Sequence, residues 1–187
     1  MSRSAVLQNR TGSNKTRAAE AGLSVRRDGR EFPDYPRVGV GGVVIHHGRV
    51  LLVRRGQEPL KGHWSLPGGL VEKGEKLAYA LRRELREETG LSVEPFAVIG
   101  VFERIERDKK SRERPRYHYV IIDYVCRLRG AQRDKPRPPA PRPATDITAA
   151  KWVAVGSLSL YGLPVLAQRV IRKALLLADE SRHPCPK

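Results

Sequence analysis

The stretch "GGLVEKGEKLAYALRRELREETGL", residues 68–91, decides the fold and poses the first chemical question. The chain carries a formal net charge of +16, yet it crowds Glu84, Glu87 and Glu88 into one short run. The pattern from Lys76 predicts a helix that ends on Gly90 as a C-terminal cap. Helical residues advance by about 100° each, so positions i, i+3 and i+4 share a face. The three glutamates therefore project together. Ala78, Leu81 and Leu85 form an adjoining apolar stripe, and Arg82 and Arg86 fall on the far side. Like charges at this spacing cost about 0.2–0.5 kcal/mol per pair on an exposed helix. Arg83, four residues before Glu87, is the one compensating base in reach, which leaves the cluster short of positive charge. A hard divalent cation would supply it, since clustered carboxylate oxygens suit Mg²⁺ or Mn²⁺ and such ions in turn hold phosphates.

The remaining composition sets bounds. At 187 residues and 40% hydrophobic content, one globular domain with tails is expected. No apolar run is long enough to span a bilayer. The first 22 residues lack the apolar core of a secretory signal; their Arg- and Ser-rich, acid-poor character is compatible with a transit peptide, but a disordered tail is the simpler expectation. Cys126 and Cys185 form neither a metal spacing nor a disulfide framework, which fits a reducing, cytoplasmic setting.

Order is expected to begin near "RVGVGGVVI", residues 37–45, a valine- and glycine-rich strand. "HHGR" turns the chain and "VLLVRR" returns it. "GQEPLKGHWSLPGG" reads as a loop. After the helix, "LSVEPFAVIGVF" is strand material, and "ERIERDKKSRERPR", residues 103–116, reads as a charged connection. "YHYVIIDYVCRL", residues 117–128, is the longest strand signal. Residues 129–145 are rich in Pro and Arg; prolines cannot join a sheet ladder, so an exposed, mobile insertion is expected. "KWVAV" is a short strand, and "LPVLAQRVIRKALLLAD" a closing helix. The domain is expected over 36–179, flanked by tails 1–35 and 180–187. Strands on both sides of one helix, with a second helix at the end, suggest an α/β fold with a mixed β-sheet between helices.

From Gly69 the residues run Gly, five residues, Glu75, seven residues, Arg83-Glu84-Leu85, one residue, Glu87-Glu88, one residue, Gly90-Leu91. This resembles the Nudix box, whose nine specified positions are all present over 23 residues. A looser resemblance, including "GHWSLPGG", extends over about 37–178. The resemblance implies the Nudix fold, an α/β/α sandwich around a mixed β-sheet, of the kind found in ADP-ribose pyrophosphatase-like and MutT-like members. It implies Mg²⁺- or Mn²⁺-dependent hydrolysis of a nucleoside diphosphate linked to another group. By the family pattern, Glu84, Glu87 and Glu88 bind the metal with the Gly68 carbonyl, while Glu75 and Arg83 brace the loop and helix. Glu84 or Glu87 is the candidate general base; Glu103, Glu106, Glu113 and Asp146 are later acids that could serve instead. Asp146 stands six residues before Trp152, where many relatives carry a metal-binding glutamate.

Further candidates come from residue type. Arg54 and Arg104 are candidate phosphate holders, with Arg107 and Arg112 as neighbours of Arg104. Tyr117 is the candidate stacking residue, among Tyr35, Phe102 and Tyr119. Trp64 is expected in the core. The positive charge is concentrated in residues 1–30, with seven bases and two acids, and in 127–145, with six bases and one acid. Solvation explains both segments; substrate steering and weak nucleic-acid binding through the basic tails are the functional alternatives. The leading expectation is hydrolysis of ADP-ribose or a related nucleoside diphosphate sugar. The alternatives are a (d)NTP or oxidised-nucleotide pyrophosphatase and, in another class, a non-catalytic nucleotide-sensing domain. A homodimer is compatible with the long 117–128 strand.

Overall fold

The computed structural model describes residues 30–108, 114–130, 133–144 and 146–180. The chain order is β1 (Arg37–His46), β2 (Arg49–Arg55), β3 (Trp64–Ser65), β4 (Gly68–Leu70), α1 (Leu77–Thr89), β5 (Val93–Arg107), β6 (Pro115–Leu128), β7 (Ile147–Ala154), a 3₁₀ turn over 155–161, and α2 (Val165–Glu180). β1 lies at the centre because its residues 39–44 are small or aliphatic and buried on both faces. It pairs in parallel with β6, from Arg37 opposite Tyr119 to Val44 opposite Cys126, and antiparallel with β2 and β4. β5 continues the sheet beyond β6, and β7 lies along β2.

Each face of the sheet takes one helix, giving the expected α/β/α sandwich. On one face Leu81 and Leu85 of α1 pack with Val40, Val44, Leu51 and Cys126. On the other, Ala167, Val170, Ile171 and Ala174 form the inner stripe of α2 over Val43, Val50 and Val125. Each fully buried Leu or Val contributes about 1.5–3 kcal/mol. Gly42 admits α1: a Cβ there would meet Leu81, Leu85 and Cys126 side chains at 3.3–3.4 Å. The helix stops where expected, since Gly90 adopts φ 69° and its N–H bonds Arg86 O at 2.9 Å.

Four expectations need correction. Both ends of the 103–116 connection are strand: β5 runs on to Arg107, paired with β6 back to Pro115, because alternating side chains in "ERIER" suit a sheet edge despite their charge. Two short strands form inside the loop 56–69. Among the tail residues 1–35, those from 30 onward pack on the domain: Phe32 N–H bonds Arg116 O at 2.8 Å, and Glu31 accepts from Arg116 and Tyr117. Residues 133–144 of the 129–145 insertion form no helix or strand, as its prolines demand, but they are tethered rather than free. Arg142 N–H and Ala144 N–H donate to Thr89 O and Glu88 O at the end of α1 (2.8 and 3.1 Å), and Trp152 Nε1 donates to Pro139 O at 2.8 Å. The basic segment 1–29 and the tail 181–187 lie outside the described residues.

Candidate active site

The box folds as β4, a turn and α1, so its acids arrive from two directions. Glu75, in the turn before the helix, forms a two-point pair with Arg83: Nε to Oε1 at 3.0 Å and Nη2 to Oε2 at 2.9 Å. Arg83 Nη2 also donates to Leu70 O at 3.1 Å, which ties the helix to β4. Its Nη1 reaches Glu84 Oε1 at 2.8 Å and Glu87 Oε2 at 3.3 Å. Arg83 thus neutralises more of the acidic face than helical spacing alone suggested. The Glu75 carboxyl is held below the usual range chiefly by the Arg83 bond, and Arg83 is held even more firmly protonated by Glu75.

Glu84, Glu87 and Glu88 share a helix sector but not an environment. Glu87 is the outermost, with 49% of its side chain exposed. Glu84 is partly buried against Gly69, where a Cβ would overlap its carboxylate; Gly69 is therefore the space Glu84 occupies. Its pKa is raised by burial, which outweighs the Arg83 bond, with Glu87 and Asp146 adding repulsion. Glu88 is 2% exposed and accepts the Gly68 N–H at 2.9 Å. Burial pushes it up to about 8 against the pull of that bond, with Asp146 and Glu84 adding to the rise. Gly68 itself sits at φ 144°, pressed so close to Val40 O that a Cβ would overlap it.

Among the described residues no three acid, His or Cys side chains are already drawn together as a ligand set. The reason lies in their partners: Arg83 draws Glu84 and Glu87, and Gly68 N–H draws Glu88. The donor chemistry nevertheless fits a hard divalent cation. Glu84 and Glu88 are oxygen donors whose charge is penalised by burial and by neighbouring acids, and a cation is what relieves both penalties.

Glu84 opens onto a cavity of about 830 Å³. Asp146 and Glu103 line it as well, and so do Arg37, Arg55 and Arg104. Asp146 is 3.7 Å from Arg30, so the segment before β1 reaches the same site. Arg104 also pairs with Glu106 at 3.2 Å. Two sequence candidates lie elsewhere. Arg54 is exposed, is not among the cavity's lining residues, and bonds Gly62 O at 2.8 Å; its strand neighbour Arg55 lines the cavity instead, since successive side chains point to opposite faces. Tyr117 is 2% exposed and donates to Glu31 at 2.6 Å; Tyr119, whose ring stacks with it at 6.2 Å, is the one that lines the cavity. Trp64 packs edge-on against Tyr161 beside the α2 core. Arg112 and Glu113 lie outside the described residues.

Sequence reasoning missed Asp123 and Arg55. Arg55 carried no local signal. Asp123, an acid inside an otherwise apolar strand, was a signal that went unread.

Comparison with known proteins gives one family. The family model described as NUDIX domain matches residues 35–174. The chain is 35% identical over 109 residues to an ADP-ribose pyrophosphatase of Methanocaldococcus jannaschii, a match covering 57% of this chain and 61% of that one. It is 31% identical over 140 residues to a MutT-like protein of Streptomyces ambofaciens, covering 74% and 77%. A MutT NUDIX hydrolase from Burkholderia pseudomallei superimposes with a TM-score of 0.61 at 27% identity, over 75% of this chain and 98% of that one. The chain spans about six-tenths of the length of the archaeal relative.

Proposed function

The chain belongs to the NUDIX domain family, and from that premise we propose that it is a divalent-cation-dependent pyrophosphohydrolase acting on a nucleoside diphosphate linked to a second group, ADP-ribose foremost. The observation that carries this is the company Glu84 keeps: it lines the same cavity as Asp146 and as Arg37, Arg55 and Arg104. Acids on one part of the lining are suited to hold cations, and arginines on another are suited to hold phosphate oxygens. The name of the archaeal relative favours ADP-ribose among such substrates.

Glu84, Glu88 and the Gly68 carbonyl would hold Mg²⁺ or Mn²⁺, with Glu87 at the outer edge and Asp146 opposite. When bound, the ion supplies charge neutralisation on the diphosphate and a more acidic water. Glu84, whose basicity burial raises, takes the proton from the attacking water. Water oxygen bonds to phosphorus, and the bridging P–O bond breaks toward the leaving phosphate. Arg83 and Glu75 hold Glu84 in place and are positioning residues. Arg55 and Arg104 bind and orient the diphosphate end, and Asp146 acts on it only through the cation. The cytoplasm is the proposed setting, which suits a free and buried Cys126. Among the described residues no helix is long and apolar enough to cross a membrane.

The test is product analysis with Mg²⁺ on ADP-ribose, other nucleoside diphosphate sugars, dNTPs and 8-oxo-dGTP, with Glu84→Gln beside wild type. AMP and ribose 5-phosphate from ADP-ribose, lost in the variant, support the reading. Faster turnover of the triphosphates favours the alternative of a (d)NTP or oxidised-nucleotide pyrophosphatase. Tight nucleotide binding without turnover on any substrate moves the chain to the sensing class.

A further inference from the structure

The cavity has a mixed lining. Its charged residues include Glu84, Asp146 and the arginines. One part of it lies between β1 and β6 below and α2 above, lined by Gly39, Gly41, Ile121, Leu166, Ala167 and Val170. Those six residues offer no side-chain hydrogen-bonding group. Asp123 of β6 lies among them, and Tyr119, Arg37 and Arg104 follow along the same face of the sheet.

Asp123 is 5% exposed and faces the α2 side of the sheet, in register with Gly41 on β1. A Cβ at residue 41 would overlap Asp123 Oδ1, so the glycine is what lets the carboxylate lie there. Among the described residues its carboxylate makes no hydrogen bond or ion pair, and its oxygens open onto the cavity rather than being fully enclosed. Burial alone accounts for the upward displacement of its pKa, to about 7; neither a donor nor a neighbouring charge contributes. Glu84 feels Glu87 and Asp146, and Glu88 feels Asp146 and Glu84, but Asp123 features in neither case, which sets it apart from the acids of the box. A buried polar group without a partner costs about 1–3 kcal/mol, and more when charged. A site that keeps one among apolar residues of a substrate cavity keeps it for a ligand.

We propose that Asp123 is a specificity-determining residue that accepts a hydrogen bond from an N–H or O–H donor on the uncharged, ring-bearing end of the substrate, either the exocyclic amine of the base or a ribose hydroxyl. The inference rests on the nucleotide reading above. A phosphate is repelled by this carboxylate and drawn to the arginines of the same cavity, so a nucleotide reaching Asp123 presents its uncharged end to it. The apolar lining then covers the faces of a ring, and Asp123 meets its edge.

The experiment is calorimetric binding of ADP, purine riboside 5′-diphosphate, which lacks the exocyclic amine, and 2′-deoxy-ADP to the full chain with Mg²⁺. Wild type is compared with Asp123→Asn and Asp123→Leu. Binding is read without turnover, so loss of the hydrolase reading would not obscure the result. Wild type should prefer ADP over one of the two analogues by roughly 10–100-fold. The purine riboside arm identifies the amine and the deoxy arm the hydroxyl. Both variants should erase that preference. Their melting temperatures should equal or exceed that of wild type, because an unpartnered buried carboxylate has been removed; a merely structural aspartate would lower them. Equal discrimination in wild type and variants, or no nucleotide binding by wild type, overturns the proposal.

Discussion

Two acidic regions stand five residues apart on α1 and behave oppositely. At Arg83 every charge is answered: Glu75 by two hydrogen bonds, Glu84 and Glu87 by one each, and the guanidinium by a backbone carbonyl besides. At Glu88 a carboxylate is buried with one backbone N–H and no nearby cation in hydrogen-bonding reach among the described residues. The first arrangement is what a protein builds to hold a shape. The second lowers the stability of the free protein and is retained where a ligand completes it. Proximity in sequence therefore says little about which carboxylates brace the fold and which await an ion.

The sharpest break of this contrast comes from the side that awaits a ligand. Glu88→Gln should lower turnover by about 10²–10⁴-fold while leaving the melting temperature unchanged or higher, and Glu84→Gln, which also loses its bond to Arg83, should lower turnover alike; steady-state kinetics beside thermal unfolding checks both halves. Gly69→Ala should approach the same loss, since the added methyl displaces the Glu84 carboxylate. Removing the brace should do the reverse. Arg83→Ala leaves Glu75 and Glu84 unpaired and should cost about 2–4 kcal/mol in denaturant unfolding. Arg83→Lys keeps the charge without the two-point geometry and should recover only part of it.

A subtler effect separates the regions by pH. Glu88 rises from the ordinary 4.5 to about 8 on folding, so between those values the folded chain binds more protons than the unfolded one. Stability then falls as pH rises through that window. A divalent cation competes with the proton for the same oxygens, so added Mg²⁺ should raise the melting temperature more at pH 8 than at pH 5.5, by roughly 3–8 °C. Equal gains at both pH values would remove Glu88 from the metal set. The smallest contrast lies on β2. Arg55→Ala should raise KM about tenfold, and Arg54→Ala should change it by less than about twofold, because only Arg55 faces the cavity.

Much of this was written locally. The run from Gly69 to Leu91 set the helix, its Gly90 stop and the sector that gathers the glutamates, because helical periodicity and left-handed capping depend on neighbours in the chain. Strands β1, β2 and β6 were legible for the same reason, their aliphatic runs being the signature of burial. What escaped were the facts that need a second element. The sequence placed Arg54 and Tyr117 at the site, and a one-residue alternation on β2 and a packed segment before β1 gave those places to Arg55 and Tyr119. The charged run after Phe102 became strand only because β6 lay beside it. The 129–145 insertion looked free until the carbonyls of Glu88 and Thr89 offered it partners. The chain by itself determined which residue types this protein has for its chemistry and on which helix they stand. Tertiary structure decided which of them are buried, since burial is set by whatever packs from the far side of the sheet, and burial separates the paired Glu75 from Glu88 and Asp123.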